Sequence, residues 1–261
     1  MTEERNTGER PLPARSLIAS LLLRSEPPRI RGARLVQWCG LFGVSEGTTR
    51  VALSRMVDRG ELQSADGTYE LAGRIGARRQ TQDWSLAPRT RAWRGRWSLA
   101  LVGELSRTAG DRTALREAMR RARFAELREG VWTRPDNLPR ESAAEEAWSV
   151  IDAQCARWSA RPEAEPAQLA STLFATPAWT RRAESLTKQL TTVTRDVRRD
   201  ERALARAFVA GAAGLAYIRS DPLLPPALGP SAAAGAALRA AYEQYEAAFA
   251  PALRAWFRAR T

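Results

Sequence analysis

The chain has no histidine, two cysteines and one lysine among its 261 residues. Without histidine there is no Ser-His-Asp or Cys-His nucleophile and no histidine-bearing metal site. Cys39 and Cys155 lie far apart with no CxxC spacing, which excludes a structural zinc site. Both read as buried free thiols of a cytoplasmic protein. No window approaches ~18 uninterrupted apolar residues, and the N-terminal MTEERNTGERPLPAR lacks an apolar core, so neither membrane span nor signal peptide is predicted. No cofactor is expected. Lys188 is the single lysine, so the net charge of +12 rests almost entirely on arginine. Arginine forms bidentate contacts to phosphate and guanine, where lysine acts as a point charge. A genome rich in G and C would enrich arginine and alanine together, but the sign of the charge favours a polyanionic partner whatever its origin.

What is present is concentrated in LFGVSEGTTRVALSRMVDRGELQSADGTYEL, residues 41–71. Gly43 suits the positive backbone angle of a tight turn between helices. Ser45 is a good N-cap for the N–H of Gly47 or Thr48. Val51, Leu53, Met56 and Val57 form one broad apolar face of the helix that follows, and Gly60 ends it. Asp66-Gly67, between Leu62 and Tyr69–Leu71, is a strong hairpin signal. Short helix, turn, arginine-bearing helix and hairpin make a winged helix-turn-helix. DNA contacts are expected from Ser45, Thr48, Thr49, Arg50, Ser54, Arg55 and Arg59, and from Arg74 on a helix predicted over 72–83. Thr48, Thr49 and Arg50 sit where such helices reach base edges; Ser45, Ser54 and Arg55 suit phosphates. The competing reading pairs Arg50 or Arg55 with Glu46, Asp58 or Glu61 on the protein's own surface. Residues 1–96 hold 17 arginines against 10 acidic residues, so more than half of the excess charge lies with this module.

Residues 1–12 read as a disordered tail and 13–88 as the DNA-binding domain, with helices over 16–23 and 33–41 ahead of the arginine-bearing helix. Residues 89–161 show a β-α-β-β-α-β order: strands over 97–102, 124–127, 130–133 and 155–160, and helices over 111–123 and 143–153. That order is ferredoxin-like. Residues 162–261 read as helical, with helices over 167–174, 179–213 and 233–260 around the break DPLLPPALGP. Leu204, Phe208, Leu215, Tyr242, Tyr245, Phe249, Leu253, Trp256 and Phe257 are the expected core of a small bundle. The fold class is thus α+β and multidomain. Core packing is the better reading for most of the nine tryptophans. The basic stretch from Arg181 to Arg202 reads as a solvated helix face, with phosphate binding as the sharper alternative.

LFGVSEGTTRVALSRMVDRGEL, WRGRWSLALV (residues 93–102), LFATPAW (173–179) and DPLLPPALGP (221–230) occur in the order seen in PaaX-type transcriptional regulators, which the chain resembles. The resemblance implies a Cas2-like central domain and a homodimer bound to a palindromic operator. It implies a repressor released by an aryl- or acyl-CoA thioester, with effector-binding residues unknown. Two family elements are replaced here: the histidine before DPxLP by Gly214–Tyr217, and a WPG element by Ser231–Gly235. A constitutive DNA-binding protein without a ligand is the alternative. A metal-dependent nuclease is more remote, since Glu104 would be its sole nearby carboxylate. The chain is expected not to be an enzyme.

Overall fold

The computed structural model describes residues 12–25, 27–72, 84–103 and 108–260, and the chain divides into two units. One takes in residues 1–75, 196–208 and 249–261; the other takes in 76–195 and 209–248. The architecture is α+β, with helices and two small antiparallel sheets.

In the first unit, Leu17, Ile18, Leu21 and Leu22 recur at helical spacing on α1 (Ala14–Arg24) and are fully buried. The helix stops at Ser25, and Pro27-Pro28 prevents its continuation. A strand that sequence reading missed follows: β1 (Arg29–Arg31), with only Ile30 buried. Three residues are too few for an alternation to stand out. α2 (Gly32–Gly40) buries Leu35, Trp38 and Cys39. Gly43, at φ +75°, turns the chain toward α3 (Glu46–Asp58), whose N-cap Ser45 accepts the Thr48 N–H at 3.2 Å. At its far end Gly60 takes φ +66°; the Gly60 and Glu61 N–H groups donate to the Val57 and Met56 carbonyls, a Schellman closure. β2 (Leu62–Ala65) and β3 (Thr68–Leu71) are joined by Asp66 and Gly67, both at positive φ, as a two-residue type I′ turn requires. β1 adds to the other side of β3, giving the order β1-β3-β2.

The core of this unit also draws on the C-terminal half of the sequence. Phe208, Trp256 and Phe257 lie around Trp38 at ring-centroid distances of 4.9, 5.9 and 6.4 Å, and Phe42 at 5.1 Å. Trp38 is too wide for three short helices to enclose, and these rings bury what α1–α3 leave exposed.

The second unit is built on β4 (Trp97–Val102), α4 (Ala109–Arg121), β5 (Ala125–Arg128), β6 (Val131–Pro135), α5 (Glu145–Gln154) and β7 (Cys155–Ala160). The strand order is β5-β6-β4-β7 with every neighbouring pair antiparallel. Thr108 and Asp111 form a capping box at the start of α4. Ala100 and Trp132 on the sheet, Leu115, Ala118 and Met119 on α4, and Trp148 and Ile151 on α5 make one core. Trp97 packs in a separate cluster with Ala170, Leu224 and Leu228.

Helices α6 (Pro166–Phe174), α7 (Thr176–Asp196), α8 (Glu201–Arg219) and α9 (Ser231–Arg258) follow, the last two contributing residues to both units. The single helix expected over 179–213 is two helices, because the chain leaves helical geometry at 197–200 and Asp200 starts α8 afresh. Its Oδ1 accepts the Ala203 N–H at 2.6 Å. In the DPLLPPALGP segment Asp221 is buried: it accepts the Leu223 N–H and an Arg239 N–H, while its carbonyl takes Arg123 Nε. Asn137 Nδ2 bonds the Leu223 carbonyl at 2.8 Å. The segment is therefore tied to the sheet as well as to the helices.

Candidate nucleic-acid interface

At 100° per residue, Thr49, Leu53 and Met56 share one side of α3, and all three are buried. The opposite side carries Gly47, Val51, Ser54, Arg55 and Asp58, flanked by Thr48, Arg50 and Arg59, all exposed. Ser45 caps the helix and pairs its hydroxyl with that of Thr48 at 2.9 Å, so its first role is structural.

Thr49 is fully buried and cannot meet an external partner; its hydroxyl donates to the Ser45 carbonyl at 3.0 Å. It also hydrogen-bonds the Cys39 thiol, whose pKa burial raises, with Thr49 opposing that shift. Val51 departs the other way. Expected in the apolar face, it is 50% exposed, because the apolar positions of this helix span more than the buried side can hold.

Arg50 donates from Nε and Nη2 to one oxygen of Glu46, at 2.8 and 2.6 Å. This is the surface pairing that competes with a DNA role. Both side chains are well over half exposed, and an exposed i,i+4 pair is worth only ~0.3–0.5 kcal/mol. A stronger bidentate acceptor would displace it. Arg55 and Arg59 face an open cleft of about 560 Å³ between α3 and the start of α1, with Thr48, Val51, Pro13 and Arg15 also on its walls. Arg15 is held at its rim by Glu61, 2.7 Å from Nε, which raises the guanidinium pKa.

The hairpin contributes no cation of its own, and Asp66 at its turn is acidic. The missed strand β1 supplies the charge instead. Arg31 stands opposite Thr68, and the next residue, Gly32, donates its N–H to the Gly67 carbonyl at 2.9 Å, so an exposed arginine adjoins the turn. Arg29 pairs with Glu70 at 3.5 Å. An isolated RIR with a bulky apolar centre was the available signal. Arg74, residues 73–83 of its predicted helix and Glu104 lie outside the described residues.

The exposed side of α3 thus offers guanidinium forks, hydroxyls and one branched apolar group on a rigid element, with a further arginine beside the hairpin. Among the described residues no helix is long and apolar enough to cross a membrane.

The family described as PaaX-like protein matches residues 13–75, a span that includes α1–α3 and the three-stranded sheet. A solved structure of an uncharacterised protein of Mycobacterium tuberculosis, Rv0674, is 40% identical, with a TM-score of 0.69, over 93% of this chain and 97% of that one. No curated protein matches. The chain belongs to the PaaX-like family.

Proposed function

We propose that this protein is a sequence-specific, double-stranded-DNA-binding transcriptional regulator, with a winged helix-turn-helix over 13–88, a ferredoxin-like domain over 89–161 and a helical region over 162–261. The observation that carries the reading is the exposed side of α3, where Thr48, Arg50, Val51, Ser54 and Arg55 are all exposed. A helix presenting this mixture can enter the major groove, where guanine accepts a bidentate arginine and thymine presents a methyl group. Membership of a family that is typically regulatory rather than catalytic agrees with it.

In the fuller form of the proposal, two chains bind a palindromic operator as a repressor, with half-sites roughly one helical turn apart. An acyl- or aryl-CoA thioester releases them. The test begins with DNA selected from random sequence by the purified protein, followed by fluorescence anisotropy. Wild-type protein should prefer the selected site over a scrambled duplex, and Arg50→Ala should lose ~1–3 kcal/mol of discrimination at one guanine. Failure to enrich any sequence would refute the reading. Loss of complex on adding an acyl-CoA at constant salt would support an effector, and its persistence would favour a constitutive binder.

A further inference from the structure

The second unit contains a cavity of about 140 Å³ whose inner wall holds a buried arginine. The sheet register shows why that residue is out of place. Side chains two apart along a strand share a face, so Trp132 and Arg134 of β6 point the same way. Their cross-strand partners on β4 are Ala100 and Ser98. Ala100 and Trp132 belong to the apolar core under α4 and α5, and Arg134 occupies the next core-facing position at 4% exposure.

All acceptors around Arg134 are uncharged. Its Nε donates to the Pro135 carbonyl at 3.1 Å, Nη1 to the carbonyls of Ala122 and Arg123 at 3.2 and 3.4 Å, and Nη2 to Asn137 Oδ1 at 2.9 Å. A guanidinium has five N–H donors, so one on Nη2 is unspent. Among the described residues, Asp136 is exposed at the cavity mouth, and Asp221 is paired with Arg239. Burial, reinforced by the neighbouring Arg123 and opposed in part by Asp136, pushes the Arg134 pKa down to about 9. A buried cation whose hydrogen bonds here all go to uncharged acceptors is costly, and a bound anion would offset that cost.

The rest of the cavity suits one. Arg91 and Arg157 stand at its mouth, Ser98 and Ser142 supply hydroxyls, and Phe124 and Trp148 form an apolar wall. Arg157 lies over the Trp148 ring at 4.9 Å and pairs with Asp152 at 3.4 Å, an exposed contact that a bound anion would compete with, while Arg140 on the same lining is committed to Glu145 and Asp152. Liquid water takes up ~30 Å³ per molecule, so the space equals roughly five waters. That admits, within the cavity, a phosphate or a carboxylate bearing a small substituent.

We propose that this cavity binds a small oxyanion, gripped by Arg134 from within and by Arg91 and Arg157 at the mouth. The site does not depend on the DNA-binding reading and can fail or stand without it. Isothermal titration of the full chain, with inorganic phosphate and benzoate as probes and chloride holding the ionic strength constant, tests it. At least one probe should bind at one site per chain and raise the melting temperature. Phosphate binding alone would identify a tetrahedral ligand group; benzoate binding alone would identify a carboxylate resting on the apolar wall. Arg91→Gln and Arg157→Gln, both surface changes, should each weaken binding by about tenfold or more, as expected for losing a charge-assisted contact. Arg134→Met should abolish it, with circular dichroism confirming the fold. The proposal is overturned if neither probe saturates, or if binding is the same in both mouth variants.

Discussion

Half of the Val51 side chain faces solvent in the middle of a row of polar and cationic groups on α3. An isolated exposed valine costs little, so its position rather than its exposure is informative. Thr48, Ser54 and Arg55 around it can serve hydrogen-bonding edges or phosphates, and Val51 is the one among them whose side chain is wholly apolar and suited to a methyl group. Val51→Ala should therefore weaken binding to the selected operator by ~1 kcal/mol, about the value of one or two buried methyl groups. Replacing the contacted thymine by uracil should cause the same loss, and combining the two changes should add little. Because the side chain is not in the core, thermal stability should move by less than ~0.5 kcal/mol. Equal affinity of wild type and variant on both duplexes would remove Val51 from the contact surface. Thr49, two residues earlier, is the opposite case: polar by type, buried in fact, and committed to Ser45 and Cys39. Residue type alone ranks Thr49 above Val51 as a DNA contact, and the direction in which each residue points reverses that ranking.

Elements are legible in proportion to the strength of their end signals. α3 and its hairpin carry Gly43, Ser45, Gly60 and Asp66-Gly67, and each takes the backbone or capping role its chemistry suggests. The four strands and two helices of residues 97–160 follow from alternation and helical spacing, although spacing does not reveal that β6 sits between β4 and β5. The break between α7 and α8 was hidden because Arg198, Arg199 and Asp200 continue a charged, helix-compatible pattern without glycine or proline. Only Asp200 marks it, as an N-cap. Its carboxylate pKa is lowered chiefly by the backbone hydrogen bond from Ala203, with Arg199 and Arg206 adding to the effect. A depressed folded-state pKa gives stability that is fully present above the unfolded-state value near ~3.9 and is lost as pH falls through the folded-state value. Asp200→Ala should lower the melting temperature at neutral pH and narrow the gap to wild type as pH drops below about 4. Asp200→Asn keeps an acceptor for Ala203 and should lie between them. Melting curves from pH 7 down to pH 3 decide this, and a constant gap would mean the cap contributes nothing that titrates. The aromatic residues of α8 and α9 were legible as core but not in their partners: Phe208, Trp256 and Phe257 meet Trp38 of α2, whereas Tyr242 and Tyr245 lie in the other unit. Periodicity reports that a face is buried and is silent about what buries it.

For the whole molecule, a net charge of +12 would draw any polyanion, so attraction alone does not distinguish a reading head from a generally basic surface. The number of ions released on binding does distinguish them. Among the described residues, Arg31, Arg55 and Arg59 are the exposed cations near the proposed groove and backbone that are not shown in an ion pair, with Arg50 reserved for a base. Each phosphate neutralised lowers the slope of log K against log salt by ~0.9, so three contacts give about −3 for one chain and about −5 for a pair on a palindrome. Arg31→Gln should make the slope shallower by about 1 per bound chain while leaving the preferred sequence unchanged, since a phosphate contact carries no base information. A change at Arg50 should alter the preferred sequence instead. The missed strand β1 thereby acquires a measurable role, because Arg31 is the cation next to a hairpin that has none of its own. A slope far steeper than about −5 would spread the contact over much of the arginine-rich surface. A slope near zero would mean that the partner of this face is not a polyanion.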